Sequence, residues 1–417
     1  MMKRSVFIGI VMSLLLMMPQ AGWAASEEAP KETSKGLKFF YRIGERVDRY
    51  LLQNVDTNYI TLPEHSWRLA FTSGLSGVNF SIHSTSTIDI PSIPLTSLTL
   101  SLYNRTALGV DLGFYAGYRG FGFGYSWDIM NAYARRISFS FGSKFIGLDF
   151  EHRTSTNIRT DIALNGDLLP SFSTSNSSTI TNSRLNVWYA LNSAHYSHNA
   201  AIKQSYIQRK TAGSFLLHLT YLATQIAFSD TVLVEEAGMP TLPALMSGVS
   251  SMTTRQIAIG LGYGINYTPN HGKVLLHAAA SAMLVCYSIN HIAYYLSDSI
   301  IAELPGEPMY ALHPSRPVHV TGNVRAAVSW EINKWVHLAL WARGDNIRFR
   351  SEQTANENEL YLSSWNWQVH LNIGVRLGAG RKRVHEALKD DPILPPVVQR
   401  TNKLPKWITD YFYSPAL

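Results

Sequence analysis

Period-two alternation runs through most of the 417 residues, only 16% of residues are charged, and 12% are aromatic. Together these predict an all-β chain closed into an antiparallel transmembrane β-barrel of about 12 strands, with 14 the next choice. A hydrophobic fraction of 46% excludes disorder, and one cysteine excludes a disulfide scaffold. Length alone would allow two or three soluble domains. The second face of each strand decides the matter. A soluble sandwich turns Lys, Glu and Thr outward, whereas here that face holds Gly, Ser, Asn and scattered charges. Closure follows, because an open edge in lipid leaves backbone donors and acceptors unpaired.

Residues 1–24 read as a signal peptide. Lys3 and Arg4 start it, Val6 to Met18 are apolar, and Gly22-Trp23-Ala24 has small residues at the cleavage site. Cleavage would lower the formal charge from +7 to +5, a mild excess that makes no case for nucleic acid. Residues 25–60 combine a polar leader with a short amphipathic helix, in which Leu37, Phe40, Tyr41, Val47, Tyr50 and Leu51 recur mostly at three- and four-residue spacing.

The barrel is expected over residues 61–378. Leu108, Val110, Leu112 and Phe114 alternate with Gly109, Asp111 and Gly113; Phe121, Phe123, Tyr125 and Trp127 alternate with Gly122, Gly124 and Ser126. Ile257 to Tyr267 and Trp365 to Leu377 alternate as cleanly. Further strands are expected at 67–82, 95–103, 135–143, 145–153, 182–191, 211–223, 273–287, 321–332 and 335–349. That makes thirteen, an odd number, so one must be split, merged or wrong. Tight turns fall at Tyr118-Arg119, Ser143-Lys144, Thr268 to Gly272 and Asn333-Lys334, and long polar connections at 154–180, 224–252 and 288–319. Residues 379–417 form a periplasmic tail containing Pro392, Pro395, Pro396 and Pro405, with Trp407 to Tyr413 as a docking segment.

Strand parity turns Asp111, Arg136, Asp149, Glu151, Arg325, Glu331, Arg343 and Arg376 into the lumen. An isolated buried charge is costly, so such groups must be paired or hydrated. Twelve strands lie between the eight that side chains just fill and the sixteen or more that leave a water channel. The expected function is therefore non-enzymatic, either a scaffold presenting long surface loops or a narrow pore for small solutes. Two alternatives stand beside it. One is a lipid-modifying hydrolase, for which Asn192, His195, Ser197, His198 and Asn199 are the only local group pairing a serine with imidazoles. The other is a soluble periplasmic β protein. No metal or cofactor is expected, since no Glu-backed His-x-x-x-His pair, Cys/His cluster or calcium loop occurs, and Gly260, Gly262 and Gly264 belong to a strand with no helix after it. The expected partners are outer-membrane lipid and the barrel-insertion machinery.

The stretch Tyr189-Ala190-Leu191-Asn192, Tyr196-Ser197, Ala200-Ala201, Gln204-Ser205, Gln208-Arg209-Lys210 and Ala212-Gly213-Ser214-Phe215 resembles the signature of the domain of unknown function family numbered 4421. Asp56-Thr57-Asn58-Tyr59-Ile60 resembles the start of that family's pattern, and Gly262 to Asn266 with Lys273 to Leu276 a later hairpin. The resemblance covers roughly residues 37–377. It implies an outer-membrane barrel of a Gram-negative bacterium and no particular chemistry. His198 stands where the family pattern has Pro, and Leu377 stands where such barrels commonly end in an aromatic residue.

Overall fold

The computed structural model describes residues 35–52, 55–90, 93–106, 108–130, 134–143, 145–164, 167–168, 176–227, 249–269, 272–294, 311–314, 319–352 and 359–378, with 380, 381, 384 and 388. The signal peptide, the polar leader, the middles of the long connections and the tail beyond residue 388 lie outside the described residues. In chain order the elements are α1 (Lys35–Leu52), β1 (Ile60–Thr61), β2 (Trp67–Ile90), β3 (Ile93–Thr106), β4 (Gly109–Tyr118), β5 (Phe121–Asp128), β6 (Arg135–Gly142), β7 (Ile146–Leu164), β8 (Asp167–Leu168) and β9 (Asn176–Ala190). There follow α2 (His198–Ile202), β10 (Ile207–Gln208), β11 (Ala212–Ala227), β12 (Val249–Tyr267), β13 (Val274–Tyr294), β14 (Ala311–Pro314), β15 (Val320–Glu331), β16 (Val336–Glu352) and β17 (Glu359–Leu377).

Twelve strands form a closed ring in the order β2-β4-β5-β6-β7-β9-β11-β12-β13-β15-β16-β17, every neighbour antiparallel. The ring closes where β17 pairs with β2 from Leu377↔Trp67 to Glu359↔Thr85. The supernumerary thirteenth stretch is β3, which stands outside the ring. It pairs with the far half of β2 and with the end of β7, beyond the ends of β4, β5 and β6. Those three strands have only 10, 8 and 8 residues, close to the minimum that spans a bilayer. Several other strands outrun their expected limits: β2 reaches Ile90, β7 Leu164 and β13 Tyr294. Their extra residues include many Ser, Thr and Asn.

The two faces of the ring differ as lipid requires. Phe71, Phe114, Phe139, Leu219, Leu261, Leu340 and Ile373 are exposed on the outside, while Thr72, Ser126, Asn186, Gln256, Asn323 and His370 are buried within. On β17 the outward residues Trp365 to Val375 span about 33 Å of strand, or about 25 Å along the membrane normal at a tilt of roughly 40°. Exposed Trp127, Trp365, Tyr221 and Tyr287 mark one border of this band, and Phe121, Phe215, Tyr267, Trp330 and Trp335 the other. Among the described residues no helix is long and apolar enough to cross a membrane. The chain crosses with strands, and the closed ring places it in the outer membrane of a Gram-negative bacterium.

Small residues on the inner face have a specific reason. Gly74 lies opposite His370 and Gly147 opposite Trp188, and in each case an added Cβ would overlap the ring of the neighbour. At the far end of β17, Gly378 takes φ +99° and stops the strand. Its carbonyl accepts from His65 Nδ1 at 2.8 Å, and the same imidazole stacks on Trp335.

Candidate functional site in the barrel lumen

Both ends of the barrel chain and the tight turns lie at one end of the ring, the periplasmic end in this class of fold. One connection there is long. Residues 191–211, between β9 and β11, fold into the ring, burying Tyr196, Ser197, His198, Asn199, Ala200 and Ala201. Neutral polar groups hold the segment in place. Asn266 Nδ2 donates to Ser197 O (2.9 Å) and Gln208 Oε1 (3.1 Å), while its Oδ1 accepts from His277 Nδ1 (2.8 Å). Gln208 accepts from Ser197 N (3.0 Å) and donates to His195 O (2.6 Å) and Lys210 O (2.9 Å). Each bond is worth about 1 kcal/mol net, and losing one partner leaves a buried group unsatisfied at comparable or larger cost.

Helix α2 stops after one turn because Gln204 adopts φ +46°, a left-handed position that usually calls for Gly. Gln204 Nε2 donates to Ala201 O at 2.8 Å. Outside this plug, α1 covers the mouth. Its Leu51 is buried with Ile60, Ala200, Ala201, Tyr206, Leu275 and Ala327, and burying one leucine contributes about 2 kcal/mol. Asp48 of α1 pairs with Arg119 in the β4–β5 turn and with Arg381 at 2.9 Å. Arg119 itself sits at φ +54°, so the ion pair holds a strained turn residue.

The eight charges expected in the lumen are placed as follows. Asp149 on β7 pairs with Arg325 on β15 (3.1 Å) and with Lys203 of the plug (3.1 Å). Glu151 on β7 takes two bonds of 3.1 Å from Arg343 on β16. Arg376 pairs with Glu331. Asp111 accepts from Ser76 Oγ (2.9 Å), to which Arg153 also donates (2.6 Å). Arg136 on β6 bonds neutral groups on β17, Gln368 Oε1 at 2.8 Å and His370 Nε2 at 2.6 Å, and pairs with no carboxylate among the described residues. Sequence reasoning left out Arg68, Arg153, Arg184, Lys203 and Asp345. Arg184 on β9 pairs with Asp345 on β16 at 2.7 Å, and Arg343 Nε lies 2.8 Å from the same carboxylate. Strand parity could have found all of these except Lys203, which lies on the plug.

A cavity of about 70 Å³ remains in the middle of the lumen. Arg68, Arg136, Lys203, Arg325 and Arg343 line it, against Asp149 and Glu151. A second space of about 10 Å³ toward the mouth is lined by Arg68, Arg119, Gln204, Arg376 and Arg381. Arg68 and Gln204 border both, so they stand at the division between them.

The serine–imidazole group does not assemble. Ser197 Oγ is buried without a hydrogen-bond partner. His195 faces outward to Asn192 Oδ1 (3.1 Å) and Asp56 Oδ2 (3.6 Å), and burial lowers its pKa against the pull of Asp56. His198 bonds Tyr196 Oη through Nδ1 (3.0 Å), and its Nε2 lies 3.5 Å from Arg325 Nη1. Burial pushes the His198 imidazole well below its usual value, with neighbouring His277 and Arg325 adding to the effect. Asn199 donates to Ser143 O at 3.2 Å and serves packing. Among the described residues no three His, Cys, Asp or Glu side chains are grouped to hold a metal.

No curated protein matches the chain. Among solved structures it is similar to the outer membrane protease OmpT of Escherichia coli (8% identity, TM-score 0.34, covering 74% of this chain and 96% of that one). It is also similar to the outer membrane protein OprG of Pseudomonas aeruginosa (9%, 0.25, 75% and 97%). A third is the translocator domain of the autotransporter NalP of Neisseria meningitidis (10%, 0.28, 82% and 95%). Over residues 54–377 the sequence matches the model described as Domain of unknown function (DUF4421), and the chain belongs to that family.

Proposed function

We propose that the protein is a non-enzymatic, narrow outer-membrane pore for small solutes, held closed by the connection between β9 and β11. The observation that carries this reading is the inward fold of residues 191–211 through a ring too wide for its own side chains to fill. Two details support a movable closure rather than a permanent filling. The clasp through Asn266 and Gln208 consists of neutral hydrogen bonds, and Gln204 stores backbone strain where the two internal spaces divide. Lipid hydrolysis is disfavoured because Ser197 Oγ is buried and hydrogen-bonds no base. Assembly by the barrel-insertion machinery is part of the proposal.

Proteoliposome swelling with small sugars tests it. Wild-type protein should admit them slowly, and Gln208→Ala should admit them at least tenfold faster. If both forms exclude solute while protease newly reaches residues 191–211 in the variant, the pore reading fails and a loop-presenting scaffold takes its place.

A further inference from the structure

Five cationic side chains line the mid-lumen cavity against two carboxylates, and both carboxylates are already engaged. Arg68 is 7% exposed, with Nε and Nη1 lacking any hydrogen-bond partner. Its guanidinium lies 4.6 Å from the Tyr115 ring centre and forms no ion pair among the described residues. Arg325 is equally buried, and although its Nη1 serves Asp149, the side-on edge of Nε and Nη2 is unused. Arg136 bonds Gln368 and His370, lies 6.0 Å from the Trp341 ring centre and forms no ion pair among the described residues. Buried cations in excess of the carboxylates beside them are costly, so five against two favours the entry of an anion.

We propose that the cavity is a binding site for a small tetrahedral oxyanion of phosphate or sulfate size, held by Arg68, Arg136 and Arg325. One enclosed water needs roughly 10–15 Å³, and the cavity offers about 70 Å³, so the space takes an ion of that size and no large solute. Guanidinium groups carried by β2, β6 and β15 border this one cavity, and several forked donors suit several oxygens on one centre better than a point charge such as chloride. The inference relies on the closed-pore reading only for its place in transport, where it names the solute class. Arg68 then hands the ion toward Arg376, Arg119 and Arg381 across the division at Gln204.

Binding is measured on the closed protein and is therefore independent of conduction. Calorimetric titration of the full chain in detergent micelles with sodium phosphate, in a sodium chloride background, should show saturable binding. Arg68→Gln and Arg136→Gln should each weaken it at least tenfold. Arg209→Gln, which removes the same charge from an exposed position, should leave it unchanged. Absence of saturable phosphate binding overturns the proposal, as does equal affinity in all three variants. If Arg68→Gln fails to reach the heat-modifiable fold, Arg136→Gln against Arg209→Gln decides alone.

Discussion

The lumen holds the same side chain in two opposite states. Between β7–β9 and β15–β16, Arg184, Arg325 and Arg343 each reach a carboxylate across the ring. Between β2–β6 and β17, Arg68 and Arg136 touch neutral groups and form no ion pair among the described residues. The first sector behaves as a wall brace, since each charge brought out of water has met its counter-charge. The second meets no carboxylate oxygen directly among the described residues, so its guanidinium groups recover less of the cost of leaving water. Breaking the two sectors should therefore have effects of opposite sign.

The largest effect belongs to the braced sector. Asp149→Asn strands both Arg325 and Lys203 and should lower unfolding stability by about 3–5 kcal/mol; urea titration followed by heat-modifiable gel migration measures it. The clasp comes next. Asn266→Ala removes three hydrogen bonds around Ser197, Gln208 and His277, and should cost about 3 kcal/mol in the same titration. Proteolysis of residues 191–211 should then become faster than that of the strands.

Acid should loosen the plug by a smaller step. His198 stays neutral in the fold because its pKa is depressed by burial and by neighbouring cations, whereas the exposed segment would bind a proton below about pH 6.5. The released state thus takes up more protons, and closure weakens as pH falls, by up to about 1.4 kcal/mol per pH unit below 6.5. Tyr196, Lys203, His218, His277 and Arg325 all face this imidazole, and none of them is a carboxylate that would offset the trend. Hydrogen exchange of the plug at pH 7.5 and pH 5.5 checks the sign, and exchange that slows at the lower pH would remove His198 from the closure.

The smallest effect has the opposite direction. Arg68→Met should raise stability by about 1 kcal/mol in phosphate-free buffer, because an unpartnered charge is replaced by an apolar chain over Tyr115. A loss of stability would mean that Arg68 is a brace like the others and would erase the contrast.

The outward face, the tight turns and the ring size were legible in the sequence because lipid forces an apolar residue at every second position. The odd thirteenth strand was legible as a contradiction, and its placement was not. Residues 95–103 alternate like their neighbours, and only the shortness of β4, β5 and β6 shows why β3 lies outside. Parity likewise turned Arg325 and Arg343 inward, whereas their partners lie 176 and 192 residues away and follow from closure alone. The plug was harder still. Residues 191–211 have no periodicity, and their helix has five residues. The available signal was a long connection at the end where the others are tight.

Single-channel recording of wild-type protein and Asn266→Ala in planar bilayers tests the closed-pore assignment most directly. Wild type is expected to stay shut for most of the record, and Asn266→Ala to open in discrete steps of small, uniform conductance, with phosphate in the bath reducing the current and Arg68→Gln abolishing that block. A silent Asn266→Ala channel, in protein shown by gel shift to be folded, would contradict it.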